Sequence, residues 1–80
     1  MMLALAATVM VATSPGGPAL ELHQHAGPCV NGARVAIYVP RDGERIPGCW
    51  ILRGTTVHVV FLDGDAGTLP IAAFKPAEGL

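Results

Sequence analysis

Apolar and polar positions alternate with a period of two through the middle of the chain. In RVAIYV, Arg34 to Val39, the residues Val35, Ile37 and Val39 alternate with Arg34, Ala36 and Tyr38, the pattern of a half-buried strand. Pro40 ends it, and RDGE (Arg41 to Glu44) supplies an Asp-Gly step that favours a tight reversal. IPGCWIL, Ile46 to Leu52, predicts a second strand in which Pro47 and Gly48 mark an edge position or a bulge. After a short turn at Arg53-Gly54, TTVHVVFL (Thr55 to Leu62) is dense in β-branched and aromatic residues and predicts the third and strongest strand. Val57, Val59 and Phe61 fall on one face, and Val60 and Leu62 with His58 on the other. Two apolar faces are expected of a strand covered on both sides. Thr68-Leu69 can return as a short strand. PIAAF (Pro70 to Phe74) predicts one helical turn opened by proline, whose missing N–H costs nothing there, with Phe74 packing back as a plug.

The first third is patterned differently. MMLALAATVMVA (Met1 to Ala12) carries no charge, and TSPGGPA follows it. An apolar run and then a small, breaker-rich segment is the layout of a helical secretory signal peptide, and the run falls short of the about 20 residues that cross a bilayer. A cut after Ala19 would place Gly17 and Ala19 where signal peptidase takes small side chains. No Lys or Arg precedes the run, a departure from the usual layout. LELHQHAGPCVN (Leu20 to Asn31) keeps neither period for long and reads as an extended arm. The expected organisation is therefore a signal peptide over 1–19, an arm over 20–32, a small β domain over 33–76 and a loose tail over 77–80. Attachment to a membrane is expected only through an uncleaved leader.

Composition narrows the reading. Eighty residues allow one domain, and 51% hydrophobic content gives it something to bury. With 14% charged residues and a net charge of −1 there is no electrostatic footprint for nucleic acid. A domain this small is marginal on burial alone. Cys29 and Cys49 are its two cysteines, and even parity with export argues for one disulfide, in a periplasmic or secreted protein. Closing a loop of about 20 residues contributes roughly 3 kcal/mol. Two free thiols, or half a metal site, is the competing reading.

Short strands joined by tight turns, with one late helical turn, describe an all-β protein: a strongly bent antiparallel sheet of three to five strands. The stretch VHVVFLDGDAGTLPIAAFKP resembles the closing hairpin of small SH3-like barrels, especially Tudor-type domains, in its strand, acidic-glycine turn, return strand and one-turn helix. The resemblance covers residues 55–76 and, more loosely, VAIYVPRDGERIPGCW before them. It implies a small barrel. Methyl-reading Tudor domains use a cage of several aromatics, and this chain has only Tyr38, Trp50, Phe61 and Phe74. SH3-like domains outside the bacterial cytoplasm often bind cell-wall peptide or polysaccharide, and the resemblance implies a partner of that kind.

Candidate chemistry is sparse. Asp63 and Asp65 flank Gly64, but the twelfth position of an EF-hand-type loop counted from Asp63 is Phe74, so the acids read as a turn. His23 and His25 form an H-x-H pair that an extended arm would present together, the basis of an alternative role as a Cu(II) or Zn(II) binder. Trp50 follows Cys49, so their side chains point to opposite faces; if the disulfide lies inward, Trp50 lies outward, beside Tyr38, as a binding contact. The alternative reading has the same indole cover one face of the sheet as core. Ser14 is the only serine, and no P-loop, dinucleotide or G-x-S-x-G pattern exists. The expectation is a non-catalytic binding or structural module, without a cofactor, that contacts its protein, peptide or cell-wall partner through Tyr38 and Trp50.

Overall fold

The structure, a computed structural model, describes residues 9–13 and 16–76. It is all-β, a single antiparallel sheet curled into a half-barrel. The strands are β1 (Met10–Thr13), β2 (Ala19–Leu22), β3 (Arg34–Val39), β4 (Ile46–Arg53), β5 (Thr56–Phe61), β6 (Ala66–Pro70) and β7 (Lys75–Pro76), with a 3-10 turn at Ile71–Ala73. Their spatial order is β6-β5-β4-β3-β2-β1-β7. Six strands follow one another as a meander. The 3-10 turn then carries the chain across the open side, so that β7 pairs with β1 through Met10–Pro76 and Val11–Lys75.

The register defines the inner face, because directly paired residues share a side of the sheet. One row runs Met10, Leu22, Ala36, Gly48, Phe61 and another Ala12, Leu20, Tyr38, Ile46. Leu20, Leu22, Ala36, Trp50, Val57 and Val59 are buried, and Phe74 closes the core from beyond the 3-10 turn, as its pattern predicts. The turns use the expected chemistry. Asp63 Oδ1 accepts the Asp65 N–H at 3.0 Å, Gly64 N–H donates to Phe61 O at 3.0 Å, and Gly64 takes a φ of +94° that favours glycine.

Several expectations change. Among the described residues the sheet has seven strands rather than three to five, because Ala19–Leu22, Met10–Thr13 and Lys75–Pro76 all join it. Each is too short to display a period of its own. Met10–Thr13 belongs to the segment read as a leader; residues 1–8 and 14–15, and the tail 77–80, lie outside the described residues. The arm expected over 20–32 begins as a sheet strand. It stays pinned to β3 beyond Leu22, with His23 N–H donating to Val35 O at 2.9 Å and Val35 N–H to His25 O at 3.0 Å. In β3 the inner face carries Ala36 and Tyr38, because their partners are Leu22, Leu20 and Gly48; Val35 is buried on the outer side, beneath the Gly27 turn.

The third predicted strand, β5, buries only one face. Val57 and Val59 are inaccessible, whereas Val60 and Leu62 are exposed. Pro47 and Gly48 mark neither an edge nor a free bulge, since β4 lies between β3 and β5. Leu62 N–H donates to Pro47 O at 3.1 Å, so Pro47 turns its backbone toward the point where β5 ends and its missing N–H faces no strand residue. Gly48 is needed for space: a Cβ there would stand 2.5 Å from the Val60 carbonyl oxygen.

Candidate functional site

The curled sheet leaves an open cavity of about 420 Å³ along the side where β6 and β1 do not pair. Its walls come from both sides of that seam: Ala12, Thr13 and Leu20 from β1 and β2, Tyr38 and Phe61 from β3 and β5, and Leu69 from β6. A second hollow of about 280 Å³ shares Tyr38 and Phe61 and is rimmed by Asp63 and Asp65 on the β5–β6 turn. The two rings stand 5.9 Å apart between centroids and are tilted by 59°, within the range of favourable aromatic pairs. Both are half-buried. The strands place them here simply: Phe61 is the last residue of β5, and Tyr38 is the last inward residue of β3. An apolar, partly enclosed space with an aromatic pair and two carboxylates at its rim can hold an apolar group next to a cation.

Of the two expected contact residues, the structure puts Tyr38 in this cavity and Trp50 in the core. Trp50 is 9% exposed. Its Nε1–H donates to His23 O at 2.9 Å, which supplies the partner a buried indole needs. The conditional argument from Cys49 runs the other way: Cys49 pairs across the sheet with Val35 and Val60, on the outer face, so its neighbour Trp50 points inward. The disulfide Cys29–Cys49 is present, and it ties the segment after His25 to the outside of β4. Sequence reasoning places Phe61 on one face with Val57 and Val59 and gives it no role in a site, and it misses Leu69 and Ala12 as walls. Phe61's position next to the turn is the one signal that sets it apart from Val57 and Val59.

His23 and His25 lie together, their ring centroids 5.8 Å apart. His23 Nε2 is 3.0 Å from Glu21 Oε1, which also accepts from Arg45 Nη2 at 2.9 Å. Partial burial would raise the Glu21 pKa, but the hydrogen bonds and charges of His23 and Arg45 outweigh it and hold the carboxyl below its ordinary range. Among the described residues no group of three or more His, Cys, Asp or Glu side chains is placed to hold a metal ion. Nor is any helix among them long and apolar enough to cross a membrane.

Comparisons with protein-family models, with curated proteins and with solved structures find no match.

Proposed function

We propose that this chain is a small exported binding module, not an enzyme, whose ligand inserts an apolar group between Tyr38 and Phe61. The observation that carries the reading is the cavity itself. About 420 Å³ of open, largely apolar space is within the size of small-molecule pockets. Export, to the periplasm or the exterior, is supported by the Cys29–Cys49 disulfide, a bond that persists in oxidising compartments. The SH3-like reading is supported by the 3-10 turn that leads into a closing strand paired with β1. Asp63 holds a backbone N–H of its own turn, which supports a structural role for that acid.

The test uses small aromatic probes that carry no peptide backbone. Titration of the oxidised protein with p-cresol or indole, followed by backbone and aromatic NMR, is expected to give saturable shifts at Tyr38, Phe61 and Leu69. Tyr38→Ala is expected to weaken them with the fold retained. Shifts confined to other regions, or none that saturate, would end the reading.

A further inference from the structure

We infer that the ligand is an extended peptide that adds as a strand to the free edge of β6. It places an apolar side chain in the Tyr38–Phe61 cavity and a basic side chain against Asp63 and Asp65. The inference rests on the cavity reading above and adds the chemical class of the ligand and its mode of binding.

The backbone of β6 carries the first argument. Among the described residues it pairs with β5 alone. Phe61 N–H donates to Asp65 O at 2.8 Å and Ile71 N–H to Thr55 O at 2.8 Å. These two bonds fix the alternation: residues 65, 67, 69 and 71 turn their backbone groups toward β5. Ala66, Thr68 and Pro70 therefore turn theirs to the open edge. That edge offers two N–H donors, at Ala66 and Thr68, and three carbonyl acceptors. The strand AGTLP carries no charged side chain to block that edge, and its one edge guard, Pro70, stands at its end and leaves Ala66 and Thr68 open.

The geometry of the seam gives the second. β1 pairs with β7 only at Met10 and Val11, so the cavity separates Ala12 and Thr13 from Leu69 with no ladder between them. Side chains of an incoming strand would point alternately into the barrel and out of it. The inward ones meet this cavity. Beside it, a Cβ built on the inward-facing Gly67 would meet nothing within 4 Å, so there is room for a partner's side chain.

Charge decides which peptide. Asp63 and Asp65 rim the hollow that shares Tyr38 and Phe61, at the end where β6 begins. A Lys or Arg near the apolar anchor reaches the carboxylates and the aromatic faces together. Strand addition supplies the backbone hydrogen bonds and the cavity supplies selectivity, the usual division in peptide readers of this mode.

The experiment uses the full-length oxidised protein. The probes are fluorescein-labelled heptapeptides with Leu, Phe or Tyr at the centre and either Lys or Glu on both sides, with singly N-methylated versions of each binder. Peptides with Lys are expected to bind at least about tenfold more tightly than those with Glu. N-methylation at alternate residues is expected to weaken binding by about tenfold or more, the loss of one or two backbone hydrogen bonds, with little effect at the residues between. Thr68→Pro removes only the edge-facing N–H, which an edge strand tolerates, and is expected to act like N-methylation. In the free protein the Ala66 and Thr68 amides should exchange fast and those of Gly67 and Leu69 slowly; bound peptide should slow the first pair.

Binding indifferent to Thr68→Pro and to every N-methylation overturns the inference. So does protection of Ala66 and Thr68 in the free protein, which would mean that the chain fills its own edge. If p-cresol enters the cavity and no peptide binds, strand addition fails and the cavity reading stands. If neither binds, both fail.

Discussion

Gly48 offers the sharpest test of how tightly this sheet is curled. It is buried in β4, and a Cβ on it would lie 2.5 Å from Val60 O, 2.8 Å from Phe61 Cδ1 and 2.9 Å from Phe61 Cα. Two of those three atoms are backbone of β5, which is held on one side by β4 and on the other by β6, so it cannot swing aside. Ordinary van der Waals contact begins near 3.4 Å, so Gly48→Ala asks β5 to yield by most of an ångström. Inserting a methyl into a packed core costs about 1–3 kcal/mol, and a backbone clash belongs at the upper end. The total stability of a chain this long is about 4–12 kcal/mol. We expect a loss of about 3 kcal/mol. With a urea m-value of about 1 kcal/mol/M, that lowers the unfolding midpoint by about 3 M. Gly67→Ala is the matched control on the next strand but one: its Cβ meets nothing, and we expect a change within about 0.5 kcal/mol. Urea titration followed by Trp50 fluorescence reads both. Equal costs for the two substitutions, or a Gly48→Ala protein as stable as the parent, would refute the packing argument.

Other outcomes follow from the same geometry. Replacing both Cys29 and Cys49 by Ser releases a loop of 20 residues' separation and is expected to cost about 3 kcal/mol in urea unfolding; a cost near zero would mean that the His23 and His25 backbone bonds already hold that loop. The Glu21 carboxyl is held below its ordinary 4.5, so its contribution is complete above that pH and is lost as pH falls through the lowered folded value. The stability gap between wild type and Glu21→Gln should accordingly shrink on acidification below about pH 4.5, and a gap that stays constant down to about pH 3 would refute the assignment. A chain beginning at Leu20 lacks β1, the burial of Met10 and Ala12 and the partner of β7; we expect it to lose about 2–4 kcal/mol and p-cresol binding, and equal stability would show that β1 contributes nothing. The intact mass of the protein recovered from the periplasm or the medium reports which form the cell makes.

What the sequence made legible was local. β3 spans the six residues whose alternation marks it, the Asp63–Asp65 turn uses the hydrogen bond that its residue types favour, and Phe74 plugs the core after a proline-led turn. The facing of those strands was not legible. Val35, Ile37 and Val39 look like the inward set until the partners are known; the inward set is Ala36 and Tyr38, because Leu20, Leu22 and Gly48 lie opposite. Trp50 followed the same logic, since its side is decided by where Cys49 meets Val35 and Val60. The cavity was half legible. Tyr38 is expected there as the neighbour of an outward Trp50, but its companion is Phe61, and further wall residues are Leu20 and, from the segment whose composition resembles a leader, Ala12 and Thr13.

The small residues and the cavity are two consequences of one curvature. In the row Met10, Leu22, Ala36, Gly48, Phe61 the two central positions carry almost no side chain, and there the strands can bend until Gly48 touches the β5 backbone. In the neighbouring row, Ala12, Leu20, Tyr38, Ile46, the side chains are larger at the centre and smallest at the β1 end. The sheet therefore closes tightly through the first row and stays splayed beside the second, where Tyr38 and Phe61 line a space that Ala12 is too small to fill. Leaving that space open to water exposes apolar surface which a compact core would have buried. A ligand side chain that restores those contacts is the simplest occupant, and β6, with its unpaired backbone along the same seam, is placed to receive the chain that carries it.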